Sequence, residues 1–263
     1  MPKKFAIFGN PVEHSLSPKM HNCAFIELGF DGIYKQILLE DGVKLKDTFL
    51  KEDLTGANIT VPHKERAYEV SDILDPFAKK VGAVNTLVLK DNRLYGYNTD
   101  APGFLKSIEK FENIKTILIL GAGGTVSSTS DILKESGYSV TILNRSKERL
   151  QQFIKSGFEC YSWEEFEPKE YDLIVNMTSA GLSDNNLPAP KDILDKTLST
   201  TKAAIDIIYG KETPFLKLAK EYNLPNFDGK EMLIQQGVLA FDYFTGHKYD
   251  LKEVEKIMRE ALN

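Results

Sequence analysis

The apolar run Thr116-Ile117-Leu118-Ile119-Leu120 ends at Gly121-Ala122-Gly123-Gly124-Thr125-Val126, a junction that few architectures accept. A buried strand running into a glycine turn and then a helical pattern reads as the start of a β-α-β unit. The glycines let backbone approach a pyrophosphate, whose charge then rests at the helix N-terminus. Gly121 and Gly123 fill the first two glycine places of a dinucleotide fingerprint. The third, which favours a small residue for close helix-sheet packing, holds Val126. The helix is expected to run to Glu135, stop at Gly137 and lead into a second strand over 139–143. An ordinary glycine-rich turn is the alternative, and the flanking elements weigh against it.

At the end of that second strand, an NAD site carries an acid that bonds the ribose hydroxyls and repels a ribose phosphate. Here the chain has Asn144-Arg145-Ser146, with Arg149 close by on the next turn. Arg145 can lie on an adenine or grip a phosphate, and Ser146 can donate a hydroxyl, so NADP(H) is the expected cofactor. Ser146 also reads as a cap for a helix over 147–155 with both arginines solvated, which does not exclude phosphate binding.

The 263 residues, 42% hydrophobic, suffice for one large or two modest domains with a sizeable core. A net charge of -5 and dispersed lysines and arginines argue against a nucleic-acid partner. Only Cys23 and Cys160 are present, so a disulfide framework is not expected and the cytoplasm is the natural compartment. Neither a signal-peptide stretch nor a spanning segment is seen, so no membrane association is expected. His14, His21, His63 and His247 form no ligand cluster, and no metal site is expected.

Strand and helix patterns alternate throughout, which predicts an α/β protein of parallel sheets covered by helices. Early strands are predicted over 5–8, 33–38, 57–59, 84–89 and 94–97, the last two forming a hairpin at Asp91-Asn92. Helices fit 18–28, capped by Ser17 with Pro18 in the first turn and ended by Gly29, then 43–50 and 64–70. A helix from about Pro102 enters the dinucleotide unit, whose later strands cover 173–176 and 203–208. Closing helices over 231–245 and 251–261 are separated by Gly246. Because the dinucleotide unit starts about 110 residues in, another domain precedes it and should hold the substrate.

Asn58-Ile59-Thr60-Val61-Pro62-His63-Lys64 sets polar side chains after a strand and ends with a lysine at a helix start. A lysine beside an acid can hold and exchange a proton at a carbonyl or hydroxyl, and Asp100, after Asn98-Thr99, is the acid chosen. By themselves, Lys64 more often decorates a helix and Asp100 more often caps one. In His14-Ser15-Leu16-Ser17-Pro18, two hydroxyls and a helix N-terminus could hold a carboxylate, the alternative being that Ser17 only caps the helix.

These segments, with Phe8-Gly9-Asn10-Pro11, Gly82-Ala83-Val84-Asn85-Thr86, Asn176-Met177-Thr178-Ser179-Ala180-Gly181, Asp206, Tyr209, Thr213-Pro214 and the run from Asp228 to Gln236, resemble the shikimate dehydrogenase family in order over nearly the whole chain. The resemblance implies reversible, NADP-dependent reduction of 3-dehydroshikimate to shikimate in aromatic amino acid biosynthesis. It implies that Ser15 and Ser17 bind the substrate carboxylate. By the same resemblance, Asn58, Thr60, Asn85, Asp100 and Gln236 are expected to hold ring hydroxyls, Tyr209 to line the cleft, and Lys64 and Asp100 to surround the reacting oxygen. It assigns the cofactor to Gly121, Ala122, Gly123, Gly124, Asn144, Arg145, Ser146, Arg149, Thr178, Ser179 and Gly229, and leaves His63 structural. The implied domains are 1–101 for substrate, a Rossmann-type NADP domain over 102–228, and helices over 229–263 returning to the substrate domain, in a monomer or homodimer. Val126 and Ser127 depart from the family pattern after the glycines, as Gly210-Lys211-Glu212 does after the tyrosine. The rivals are a quinate or dual quinate/shikimate dehydrogenase and a non-catalytic NADP(H)-binding sensor.

Overall fold

Phe5, Ala6, Ile7 and Phe8 are all buried, as a strand between two parallel neighbours requires, and they form the centre of β1 (Lys3–Gly9). The computed structural model describes residues 1–263. After β1 come α1 (Ser17–Glu27), β2 (Gly32–Leu38), α2 (Leu45–Lys51), β3 (Gly56–Ile59), α3 (Lys64–Val70), β4 (Ile73–Leu74), α4 (Pro76–Val81), β5 (Thr86–Lys90) and β6 (Arg93–Tyr97). Their sheet has the order β2-β1-β3-β5-β6-β4.

This sheet is mixed: β1 pairs in parallel with β2 and β3, as β4 does with β6, and the antiparallel pairs are confined to β5. β5 runs antiparallel to β6 because the predicted two-residue turn reverses the chain, with Asp91 and Asn92 at φ 50° and 56° and Lys90 opposite Arg93, and it also pairs antiparallel with β3. Ser17 is also not the cap predicted for α1. Leu16 holds that position, and Ser17 is the buried first residue of the helix. The unpredicted α4 has legible signals: Asp75 accepts from Phe77 N and Ala78 N, and Pro76 starts the helix.

Then follow α5 (Asp100–Ile108), β7 (Thr116–Leu120), α6 (Gly124–Glu135), β8 (Ser139–Asn144), α7 (Gln151–Lys155), β9 (Glu159–Ser162), β10 (Leu173–Asn176), α8 (Lys191–Leu198), β11 (Ala203–Asp206), α9 (Pro214–Glu221) and β12 (Asn226–Phe227). These strands form a second, wholly parallel sheet of order β12-β11-β10-β7-β8-β9. This is the order of a doubly wound dinucleotide-binding sheet, with its topological switch between β7 and β10. Val126 lies fully buried in the core with Ile119, Leu133 and Ile142, so the third fingerprint position packs as the fold demands despite its size.

Ser146 does not cap a helix over 147–155. The chain there makes a 3₁₀ turn over Glu148–Leu150 before α7, and Ser146 instead accepts a bond from Asn144 Nδ2 through its carbonyl. Thr213 caps α9 by accepting from Leu216 N, ahead of Pro214.

The chain closes with α10 (Lys230–Thr245) and α11 (Leu251–Ala261), separated by Gly246 at φ +69°. Two compact units result: residues 1–103 with 234–263, and residues 104–233. Both changeovers fall inside helices, α5 and α10. In the first unit α11 packs on α1, and Phe244 and Phe241 of α10 meet Phe5 and Phe25 at 4.9 and 5.3 Å between ring centres.

Candidate active site

In the first unit the polar residues gather at the carboxyl ends of β1 and β3 and the starts of α3 and α5. After β3 the chain turns through Thr60-Val61-Pro62-His63, and the buried His63 ring anchors the turn, with Nε2 2.6 Å from Leu39 O. That places Lys64 at the first position of α3, where its carbonyl accepts from Val84 N at 3.0 Å. Asp100 is the first residue of α5. Lys64 Nζ donates to Asp100 Oδ2 at 2.6 Å, with 24% and 14% of the side chains exposed. A charged pair at this depth is sheltered from bulk water yet reachable by a small molecule.

A connected polar network lies beside the pair. Asn85 Oδ1 accepts from Thr99 N at 2.7 Å, and Asn85 Nδ2 donates to Thr99 Oγ1 at 2.9 Å. Asn58 Oδ1 accepts from the Tyr34 hydroxyl at 2.7 Å, while Asn58 Nδ2 donates to Thr86 Oγ1 at 3.0 Å. Asn58, Asn85, Thr86 and Thr99 are all buried, so these bonds hold the amides in fixed orientations. Thr60 N donates to Phe8 O, and half-buried Ser15 accepts from Ser17 N at 3.3 Å. Gln236 is buried on α10, where α5 approaches closely enough that only glycine fits at position 103.

The second unit carries the other cluster. Gly121, at φ +117°, follows β7 and sits against Thr178 and Met177, which follow β10, so the two loops meet at the topological switch. A groove of about 940 Å³ opens there, lined by Gly121, Ala122, Gly123, Asn144, Arg145, Ser146, Arg149, Thr178 and Ser179. The guanidinium groups of Arg145 and Arg149 have no hydrogen-bond or ion-pair partner in the protein, which leaves two cations in the groove for an anionic ligand. The donor set fits a dinucleotide with a ribose phosphate. Behind the loop, buried Asp206 accepts from Asn176 Nδ2 at 2.9 Å, Thr213 Oγ1 at 2.7 Å and Ile208 N at 3.0 Å. Burial raises its pKa against those bonds. Asn176 Oδ1 in turn accepts from Thr178 N and Thr178 Oγ1, so the carboxylate fixes the loop's base.

Two expected cofactor residues do not line this groove: Gly124 begins α6, and Gly229 packs against backbone, a Cβ there falling 2.0 Å from Ile207 O. Tyr209, expected in the substrate cleft, lies in the second unit. Sequence reasoning missed Trp163 and the 184–191 segment of the wall. Trp163 follows β9, a strand that went unread, and that strand was its only signal. Cys23 and Cys160 are both free thiols, and no helix is long and apolar enough to cross a membrane.

Residues 7–87 match the shikimate dehydrogenase substrate binding domain, and residues 229–262 match the shikimate 5'-dehydrogenase C-terminal domain. A shikimate dehydrogenase (NADP(+)) of Helicobacter hepaticus is 46% identical over 265 residues, covering 98% of each chain. One from a Geobacillus species is 37% identical over 278 residues, covering 100% of this chain and 99% of its own. Among solved structures, the shikimate dehydrogenase of Aquifex aeolicus superposes with a TM-score of 0.86 at 34% identity, covering 98% of both chains. That of Thermus thermophilus, in complex with NADP(H) and shikimate, gives 0.85 at 34%, covering 98% of this chain and 99% of its own.

Proposed function

The chain belongs to the shikimate dehydrogenase family, and we propose that it catalyses the reversible, NADP-dependent reduction of 3-dehydroshikimate to shikimate through Lys64 and Asp100. The contact of 2.6 Å between those two side chains, within a network of buried amides and hydroxyls, is the observation that carries the residue-level reading.

Ser15 and Ser17 take the carboxylate of the substrate, and Asn58, Thr60, Asn85, Asp100 and Gln236 take its ring hydroxyls. The side chains of Asn58 and Asn85 are already oriented by protein partners, so little ordering is left to the binding step. Gly121 to Gly123 cradle the pyrophosphate of the cofactor, Asn144, Arg145, Ser146 and Arg149 hold its adenosine phosphate, and Thr178 and Ser179 flank its nicotinamide half. Bound NADPH supplies the hydride that reduces the carbonyl carbon. Lys64 gives a proton from Nζ to the carbonyl oxygen, which becomes the hydroxyl of shikimate, and regains one from solvent. Asp100 accepts the bond from Lys64 and orients its amine toward the reacting oxygen. The enzyme works on this small molecule in the cytoplasm, as a monomer or homodimer.

The reading is tested by following reduced-nicotinamide absorbance as purified protein meets shikimate or quinate, each with NADP or NAD. Turnover confined to shikimate with NADP is expected. A preference for quinate or NAD overturns the assignment of substrate or cofactor, and no turnover in any pairing overturns the enzyme reading.

A further inference from the structure

Strand β2 is an edge of the first sheet, and two side chains on one of its faces reach groups proposed to hold the substrate. Tyr34 is 2% exposed, and its backbone is clasped by Asn22 of α1: Tyr34 N donates to Asn22 Oδ1 and Tyr34 O accepts from Asn22 Nδ2, both at 2.8 Å. Its ring stacks on His21, centres 4.5 Å apart and planes within 2°. So fixed, the hydroxyl spends its one hydrogen on Asn58 Oδ1 at 2.7 Å. Two residues along, exposed Gln36 uses Nε2 to donate to Glu13 O at 3.1 Å and Ser15 O at 3.0 Å.

We infer that Tyr34 and Gln36 are positioning residues for the substrate, Tyr34 aiming Asn58 at a ring hydroxyl and Gln36 pinning the backbone of Ser15 at the carboxylate. The inference rests on the substrate site proposed above. Tyr34 holds the Oδ1 end of the Asn58 amide by the shortest of its bonds, 2.7 Å, while Thr86 Oγ1 and Asn85 O take the Nδ2 end at 3.0 and 3.4 Å, so loss of the Tyr34 hydroxyl frees the acceptor end. Gln36 acts on Ser15 through main chain alone, from a surface position with no part in the core.

Steady-state kinetics of Tyr34→Phe and Gln36→Met, with thermal unfolding of each, test this. Phe keeps the ring that stacks on His21 and removes the bond that orients Asn58, so KM for shikimate rises about tenfold, while kcat and KM for NADP stay within about twofold. Gln36→Met raises KM for shikimate about threefold with the same pattern and an unchanged Tm. In an Asn58→Ala background, Tyr34→Phe adds little further, since its target is gone. Wild-type turnover with both variants within about twofold of its KM for shikimate overturns the inference and leaves the proposed function standing. Equal losses in kcat and in both KM values, tracking a fall in Tm, also overturn it, because they mark a merely structural role. Should Tyr34→Phe fail to fold, Gln36→Met at the surface decides alone. A wild-type protein that neither binds nor turns over shikimate overturns the substrate site itself.

Discussion

Gly103 lies against the backbone of Gln236: a Cβ at position 103 would fall 2.6 Å from Gln236 N and 2.8 Å from its Cα. Helices α5 and α10 thus cross at main-chain contact, one turn from Asp100. Gly103→Ala forces them apart at a cost of about 1–3 kcal/mol. We expect a fall in Tm of several degrees and a higher KM for shikimate as Gln236 shifts, read by thermal unfolding and kinetics on one preparation. A variant with wild-type Tm and KM would show that the crossing yields freely.

Lys64→Ala removes the proton donor and leaves the buried amides of the site in place. Its kcat should drop about 10²- to 10⁴-fold, with binding of shikimate and NADPH kept within a few-fold in equilibrium titrations. Asp100→Asn should follow in the same direction. Near-normal turnover of Lys64→Ala would remove that lysine from the proton path.

Arg145 has no anionic partner in the protein, so its charge is available to the cofactor phosphate. Arg145→Asp exchanges an attraction for a repulsion, and the ratio of kcat/KM for NADP over NAD should fall at least about tenfold. An unchanged ratio would refute the phosphate contact.

His21 is fully buried, and neither ring nitrogen has a hydrogen-bond partner. Burial lowers its pKa from 6.5 to about 3. Between those values the unfolded chain binds a proton that the folded chain refuses, so stability falls as pH drops below about 6.5, by up to about 1.4 kcal/mol per pH unit until about pH 3. Glu159, held at about 2 chiefly by its bond from Lys169, adds to the loss only below its ordinary value of 4.5. Denaturant unfolding from pH 7 to 5 should therefore show a slope that steepens toward one proton by pH 5 and that His21→Phe abolishes. A parallel pH dependence in both proteins would locate the acid sensitivity elsewhere.

Much of this structure was legible because short-range signals agreed with the long-range fold. The glycine turn between Leu120 and Thr125 announced β7 and α6, and the Asp91-Asn92 turn announced the β5-β6 hairpin. The strands that escaped had little periodicity to show: β4 and β12 have two residues each, and β9 has four, only one of them buried, whereas α8 and α9 went unread although Ile193, Leu194, Thr197 and Leu198 recur at helical spacing. The antiparallel course of β5 follows from which strand the hairpin reaches after closing, a pairing decided by tertiary contact. Ser17 illustrates the local limit. Serine before proline reads as a cap, yet the helix here begins one residue earlier and buries that serine. Lys64 and Asp100 stood out only in company, since 36 residues separate them and nothing in spacing predicts a contact of 2.6 Å.

The first unit draws residues from both ends of the sequence, with the whole second unit emerging between them during synthesis. Phe5 and Phe25 leave the ribosome early but cannot be covered until Phe241 and Phe244 follow, and α1 waits for α11. The unit started first is therefore finished last. A nascent chain halted anywhere before residue 234 exposes an aromatic floor to chaperones and to aggregation, whereas a stop codon in the final helix harms the part of the protein that was translated at the outset.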